Sequence, residues 1–287
     1  MSSGTSGYAV VDGLRLHYVE WGQADRPPVV LLHGLRAYGH WFDEFADVAE
    51  GSYRLIALDQ RGRGSSDWAK DGVYNTDAYV ADLTGLVDQL RLDRFTLIGH
   101  SMGGTNAINF AARYPERVAA LVIVDSAPEL DPRGLQRIRS ELGATPKTFA
   151  SWDEARAFIR RLHVRPSEQH IATRLAWMLK EAAPGQIAWR LDEAIFDPRM
   201  TPDPPSRTWS MLAEIRCPTL LVRGGVSDIV TAEMAERVAA AVPGARWVEV
   251  PEAGHMVLED NPPGFNAAVM AFLAQAVPAQ ATSPAHA

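Results

Sequence analysis

Short apolar runs of strand type, each followed by a segment with helical spacing, recur along this chain and limit its fold more than any other feature. "LRLHYVEWG" (14–22) alternates like an exposed strand, while "PPVVLLHG" (27–34) and "YRLIALDQRGRG" (53–64) are continuous apolar runs that end in glycine-containing loops. "TDAYVADLTGLVDQL" (76–90) then carries apolar residues at helical spacing, and "RFTLIGHS" (94–101) reads as a strand again. From Met102, "MGGTNAINFAARYPERV" reads as a helix ending near Pro115, followed by the strand "AALVIVDSAPE" (119–129). Such alternation predicts an α/β fold with a mostly parallel sheet covered by helices on both faces.

The rhythm stops after Pro128. Residues 131–214 are Arg-rich and helix-patterned, as in "DPRGLQRIRSELG", "SWDEARAFIRRLH" and "PSEQHIATRLAWMLKEAA", with no convincing strand. It resumes with strand "CPTLLVRGG" (217–225), helix "TAEMAERVAAAV" (231–242), strand "ARWVEVP" (245–251) and helix "PPGFNAAVMAFLAQAV" (262–277). A helical block between two halves of one sheet is expected to be a cap. The division predicted is a core of 1–130 and 215–278, a helical cap of 131–214 and a disordered Pro/Ala-rich tail at 279–287.

Composition narrows the function classes. A net charge of −7 argues against a nucleic-acid partner, which calls for clustered Lys and Arg. The apolar runs fall far short of the roughly 20 residues of a membrane span, so no membrane partner is expected. The opening "MSSGTSGYAVVDG" lacks a cationic stretch followed by an apolar one; no secretory signal is expected, and the protein is expected in the cytoplasm. The single cysteine, Cys217, reads as a small buried hydrophobe. The eight histidines are scattered and the glycines of "RGRGSSD" and "GGTNAIN" lack the dinucleotide fingerprint, so neither a metal nor a cofactor is expected.

The chemistry points to "LIGHSMGG" (97–104). Gly-x-Ser-x-Gly at Gly99, Ser101 and Gly103 falls between a predicted strand and a predicted helix, where a serine on a sharp turn needs nearly side-chain-free neighbours. Met102 then opens a helix whose N–H groups and positive dipole end face the place where negative charge develops. Serine is a weak nucleophile without an adjacent base. His255, in "PEAGHMVLEDNP" after the last predicted strand, is the base candidate, and Asp228, in "VRGGVSDIV" after the preceding strand, is the candidate carboxylate that fixes its tautomer.

With "VVLLHG", "DQRGRGSSD", "GHSMGG", "PTLLVRGGVSD" and "PEAGH" in this order, the chain resembles capped serine esterase-like members of the α/β-hydrolase superfamily over nearly its whole length. The resemblance is weaker in the cap. It implies an eight-stranded, mostly parallel sheet flanked by helices, and an oxyanion hole made by the backbone N–H groups of Leu35 and Met102. It also implies a structural role for His33 in propping the oxyanion loop. Some relatives take the triad carboxylate from the earlier strand, which makes Asp125 the alternative to Asp228. Asp59 reads as a loop organiser, and His100 is expected to pack or hydrogen-bond behind the turn.

A serine at this position suits acyl transfer, and the reaction implied is hydrolysis of a small apolar carboxylic ester, lactones included, through an acyl-enzyme on Ser101. The alternatives are a carbon–carbon bond hydrolase of vinylogous diketones, a cofactor-free perhydrolase or haloperoxidase, and a ligand-binding protein without activity. Relatives of the first kind tend to carry Trp after the catalytic histidine and Asn before the serine, where this chain has Met256 and His100. The pocket is expected to be apolar and aromatic, with Arg36, Trp41, Trp152, Trp177, Trp189 and Val257 as candidate lining residues. No charged cluster in the cap marks an anionic substrate.

Overall fold

The computed structural model describes residues 4–162, 167–196 and 204–277. Its strands are β1 (Thr5–Val11), β2 (Leu14–Trp21), β3 (Pro28–Leu32), β4 (Arg54–Leu58), β5 (Phe95–His100), β6 (Val118–Val124), β7 (Thr148–Phe149), β8 (Leu179–Ala183), β9 (Gln186–Trp189), β10 (Thr219–Gly224) and β11 (Arg246–Val250). The helices are α1 (Asp43–Ala49), α2 (Thr76–Gln89), α3 (Met102–Arg113), α4 (Pro132–Gly143), α5 (Trp152–Leu162), α6 (Glu168–Met178), α7 (Pro205–Leu212), α8 (Ala232–Ala241), α9 (Val257–Asp260) and α10 (Pro262–Ala276).

Eight strands form one sheet in the order β1-β2-β4-β3-β5-β6-β10-β11. β1 with β2 and β2 with β4 are antiparallel, and the other neighbours are parallel. The continuous apolar runs follow from burial on both faces. In β3, Val30 and Leu32 pack on one side with α2, α3 and α8, while Val29 and Leu31 pack on the other with α1 and α10. β5 and β6 repeat this split, with Leu97, Leu121 and Ile123 on the first side and Ile98, Val122 and Val124 on the second. The tail expected to be disordered, 279–287, lies outside the described residues.

Three features depart from the sequence reading. β1 was not anticipated: it is an edge strand of mixed pattern, joined to β2 by a two-residue turn in which Asp12 and Gly13 both have positive φ, 48° and 78°. β2, expected to be exposed, is mostly buried because β1 and β4 flank it. The segment between β6 and β10 is not purely helical, since β7, β8 and β9 form a second sheet in the order β7-β9-β8. "LKEAAPGQIAW" turns back at Pro184–Gly185 instead of continuing α6. Phe149, Phe158, Ile159, Ile171, Leu175 and Ile187 give this region its own apolar cluster. α7 belongs elsewhere, because Leu212 is fully buried in the cluster shared with α3.

Candidate active site

The parallel strands end at one edge of the sheet, the usual place for a site in an α/β sheet. Ser101 stands between β5 and α3 with φ 53° and ψ −120°, a strained conformation for a side-chain-bearing residue. Its glycine neighbours are a steric necessity: a Cβ on Gly99 would lie 2.2 Å from the Gly103 carbonyl oxygen, and one on Gly103 would lie 2.3 Å from that of Leu32.

The β5–β6 register pairs His100 with Val124, and the Ser101 N–H donates to the Val124 carbonyl at 2.9 Å. Asp125, the residue after β6, therefore lies beside the serine. His255, on the turn between β11 and α9, completes the chain of contacts: its Nε2 is 3.0 Å from Ser101 Oγ and its Nδ1 is 2.8 Å from Asp125 Oδ2. An ionised carboxylate only accepts, so Nδ1 carries the proton and Nε2 is left to accept from the serine hydroxyl. Asp125 is fully buried and also accepts from Ser227 Oγ–H at 2.6 Å and from Gly224 N–H at 3.1 Å.

The structure thus brings Asp125, and not Asp228, to His255. Asp228 is held from the cap: Arg137 of α4 donates Nε–H to its Oδ2 at 2.6 Å and an Nη2 hydrogen to its Oδ1 at 2.8 Å. That hydrogen-bonded guanidinium keeps the Asp228 carboxyl below its ordinary range. The loop after β10 supports the acid through Ser227 instead of supplying it, a role that sequence reasoning missed.

Leu35, in the loop after β3, and the helix-opening Met102 both line the same cavity as Ser101 and His255. As the first residue of α3, Met102 has an N–H with no intrahelical acceptor. His33 braces the loop. Its Nδ1–H donates to the Gly34 carbonyl at 2.7 Å and its Nε2 accepts from Gln60 N–H at 3.1 Å. Complete burial pushes its pKa down to about 4, which keeps it neutral. Gln60 extends the brace, donating to the His33 carbonyl at 2.6 Å and accepting from Asn106 of α3 at 2.7 Å. The loop after β3 and the helix behind Ser101 are therefore tied by one amide side chain, Gln60, which no motif singles out.

His100 turns away from the serine, and its Nε2–H donates to the His255 carbonyl at 2.8 Å, fixing the loop that carries the imidazole. Burial holds the His100 pKa well below the ordinary range, so it is neutral. Asp59 organises its loop as expected, accepting from His17 at 2.7 Å, Gly39 N–H at 2.6 Å and Ser65 N–H at 2.9 Å. Burial alone would raise its pKa, but the hydrogen bond and charge of His17 bring it below the ordinary value.

The cavity above Ser101 has a volume of about 1470 Å³. Of the residues expected to line it, Arg36 and Trp189 do; Arg36 donates to Thr145 Oγ1 at 2.8 Å, and Trp189 Nε1–H to the Pro146 carbonyl at 2.8 Å. The other four sit elsewhere. Trp41 is buried behind the site, its ring 4.5 Å from that of His100, and Trp177 stacks on His40 at 3.9 Å. Trp152 is exposed at the start of α5, and Val257 is fully buried in the apolar layer beneath α9. Non-aromatic residues of the segment between β6 and β10, such as Leu135, Ile138, Leu142 and Met178, provide the apolar wall assigned to aromatics. Among the described residues no helix is long and apolar enough to cross a membrane.

A family model described as "alpha/beta hydrolase fold" matches residues 27–262. The chain is 32% identical over 94% of its length to a putative 2-succinyl-6-hydroxy-2,4-cyclohexadiene-1-carboxylate synthase of Bacillus subtilis, covering 98% of that protein. It is 30% identical over 84% of its length to a 3-hydroxybutyrate-oligomer hydrolase of Cupriavidus necator, covering 87% of it. Among solved structures, an alpha/beta hydrolase from Novosphingobium aromaticivorans superposes with a TM-score of 0.79 at 33% identity, over 95% of this chain and 99% of that one. The chain belongs to the α/β-hydrolase fold family.

Proposed function

We propose that this hydrolase cleaves carboxylic esters, lactones included, through an acyl-enzyme on Ser101. The observation that carries the reading is the continuous relay Ser101 Oγ, His255, Asp125 at 3.0 and 2.8 Å, opening into a cavity that Leu35 and Met102 also line. In this mechanism His255 Nε2 takes the hydroxyl proton as Oγ attacks the ester carbonyl carbon. The carbonyl oxygen becomes an oxyanion held by the Leu35 and Met102 N–H groups, each such donor contributing about 2.7 to 4 kcal/mol. As the tetrahedral intermediate collapses, the imidazolium returns its proton to the departing alkoxide. Water then repeats the sequence with His255 as base, releasing the acid and restoring Ser101 Oγ–H. Asp125 holds the Nδ1–H tautomer and offsets the imidazolium charge throughout.

The Cupriavidus necator relative adds support, since its name describes an oligomer of a hydroxy acid, whose units are joined by ester bonds. The test is turnover of a short-chain p-nitrophenyl ester by the wild type and by Ser101→Ala, with mass spectrometry of the protein after a serine-reactive phosphonate. Ester turnover lost in the variant, with one phosphonate on the Ser101 peptide, is expected. Undiminished turnover in Ser101→Ala, or turnover of a vinylogous diketone but of no ester, refutes the reading.

A further inference from the structure

The arginines that the sequence scatters converge on the cavity. Among the described residues lining it are six arginines (Arg36, Arg63, Arg137, Arg139, Arg161, Arg174) and five carboxylates (Asp125, Glu141, Asp228, Glu259, Asp260), although the chain as a whole carries −7. All five carboxylates are engaged. Asp125 meets His255, Asp228 meets Arg137, and Glu141 meets Arg137 at 2.8 Å and Arg36 at 3.6 Å. Glu259 pairs with Arg174 at 2.5 Å, and Asp260 accepts from Gly254 N–H. Arg63, Arg139 and Arg161 have no carboxylate partner among the described residues.

Arg63 is the informative one, because it is 1% exposed. Burying a guanidinium without a counter-ion is unfavourable unless its donors are used. Its Nε–H donates to the Leu35 carbonyl at 3.1 Å, and Nη1 donates to the Arg61 carbonyl at 2.8 Å and to Tyr79 Oη at 2.5 Å. The Tyr79 ring lies 5.1 Å away. Its Nη2 meets only the Met102 thioether at 3.3 Å, a weak acceptor. The Met102 thioether thus stands between the poorly satisfied edge of a buried cation and the cavity that Leu35, Arg63 and Met102 all line, and a ligand atom reaches Nη2 as the Met102 side chain turns aside.

We propose that the cavity takes an ester bearing a second, free carboxylate, and that Arg63 is the residue that selects it, with the exposed Arg139 and Arg161 of the cap drawing the anion in. The inference rests on the acyl-enzyme reading and names its substrate class. A carboxylate that takes the place of the thioether supplies the strong acceptor that sulfur is not, and its charge balances the buried cation. A neutral chain of the same length leaves the guanidinium on its weak thioether acceptor and gains nothing from it.

The experiment compares kcat/KM for p-nitrophenyl hydrogen adipate with that for p-nitrophenyl heptanoate, and for 3-acetoxybenzoate with its methyl ester. The two pairs place the carboxylate on the acyl side and the alcohol side. The wild type is expected to prefer the anion in at least one pair by about 10- to 100-fold, the range of a hydrogen bond to a charged group. Arg63→Met is expected to collapse this ratio and Arg63→Lys to retain part of it; the ratio cancels any general loss of active enzyme. Should Arg63→Met not fold, Arg139→Glu with Arg161→Glu, both on the surface, is expected to lower the same ratio. A wild type that favours the neutral ester in both pairs overturns the inference while leaving the esterase reading intact. So does an Arg63→Met variant that slows both members of a pair equally. Failure to cleave any of the four esters overturns the inference, and overturns both readings when a short-chain p-nitrophenyl ester is not cleaved either.

Discussion

Replacing Asp125 by Asn is the sharpest probe of the relay, because the two residues are nearly isosteric and the change is confined to what His255 Nδ1 meets. Asp125 is fully buried and accepts from His255, Ser227 and Gly224 at 2.8, 2.6 and 3.1 Å. An asparagine keeps one acceptor oxygen. The Gly224 N–H can only donate, so the oxygen stays at the Oδ1 position and the NH₂ takes the Oδ2 position, where it faces Ser227 Oγ and Nδ1 and forces the proton to Nε2, which can then no longer accept from Ser101 Oγ–H. A wrong tautomer in a serine triad costs about 10⁴-fold in kcat, equivalent to about 5 kcal/mol of barrier. Loss of one hydrogen bond to a charged, buried acceptor should cost about 1.5 to 3 kcal/mol of stability, so the variant remains folded for measurement. Steady-state hydrolysis of a p-nitrophenyl ester, with thermal melting as the control for folding, reads both quantities. Asp228→Asn, measured alongside, is expected to keep kcat within about tenfold of wild type. A kcat for Asp125→Asn within tenfold of wild type, with a 10³-fold or greater loss in Asp228→Asn, refutes the assignment of the acid.

The side chains of the Arg137–Asp228 pair are 40% and 36% exposed, so cutting the pair with Asp228→Asn should lower stability by no more than about 1 kcal/mol in a denaturant titration. Gly103→Ala places a methyl 2.3 Å from the Leu32 carbonyl oxygen, and should cost about 1–3 kcal/mol of stability while displacing the oxyanion loop. An active variant with an unchanged melting temperature would contradict this. His33 has its folded pKa lowered from 6.5 to about 4. The unfolded chain therefore binds the extra proton between those values, and stability rises with pH across that window and is lost as pH falls through it. The contribution is on the order of 3 kcal/mol, and His33→Gln should flatten the urea-midpoint profile between pH 6.5 and 4. A profile as steep as wild type would place the titrating group elsewhere.

The core was legible because burial on both faces writes itself as uninterrupted aliphatic sequence: Val29, Val30, Leu31 and Leu32 are all within 1% of complete burial. Edge and cap strands leave no such trace. In β1 the buried residues are Ala9 and Val11, so only the Asp12–Gly13 turn signal could have revealed it. In β8 four of five residues are exposed, and the helical spacing of the preceding segment runs into it without a break. The aromatic wall failed for a related reason: Trp41 and Trp177 carry the composition of a pocket, but each is spent packing against a histidine behind the site.

The acid was harder, because topology allows both answers. β6 and β10 are parallel neighbours, pairing Leu121 with Thr219 and Val124 with Val222, so aspartates beyond either strand reach the same edge. Two physical facts separate them. Asp125 directly follows its strand, next to Ser101, whereas Asp228 lies four residues past Gly224 on a loop organised by Ser227. The Ser227 hydroxyl donates to Asp125 and accepts from Ile229 N–H at 3.1 Å and Val230 N–H at 3.3 Å. The cap then claims what that loop presents. Asp131 N–H donates to the Ile229 carbonyl, Gly134 lets α4 approach the Asp228 backbone, and Arg137 takes the carboxylate. Arg137 stands 91 residues from Asp228 in the chain, so no local motif around "GVSD" could disclose the competition. Asp125 meets His255 from the end of its own strand, while the carboxylate of Asp228 is turned to a cation of α4.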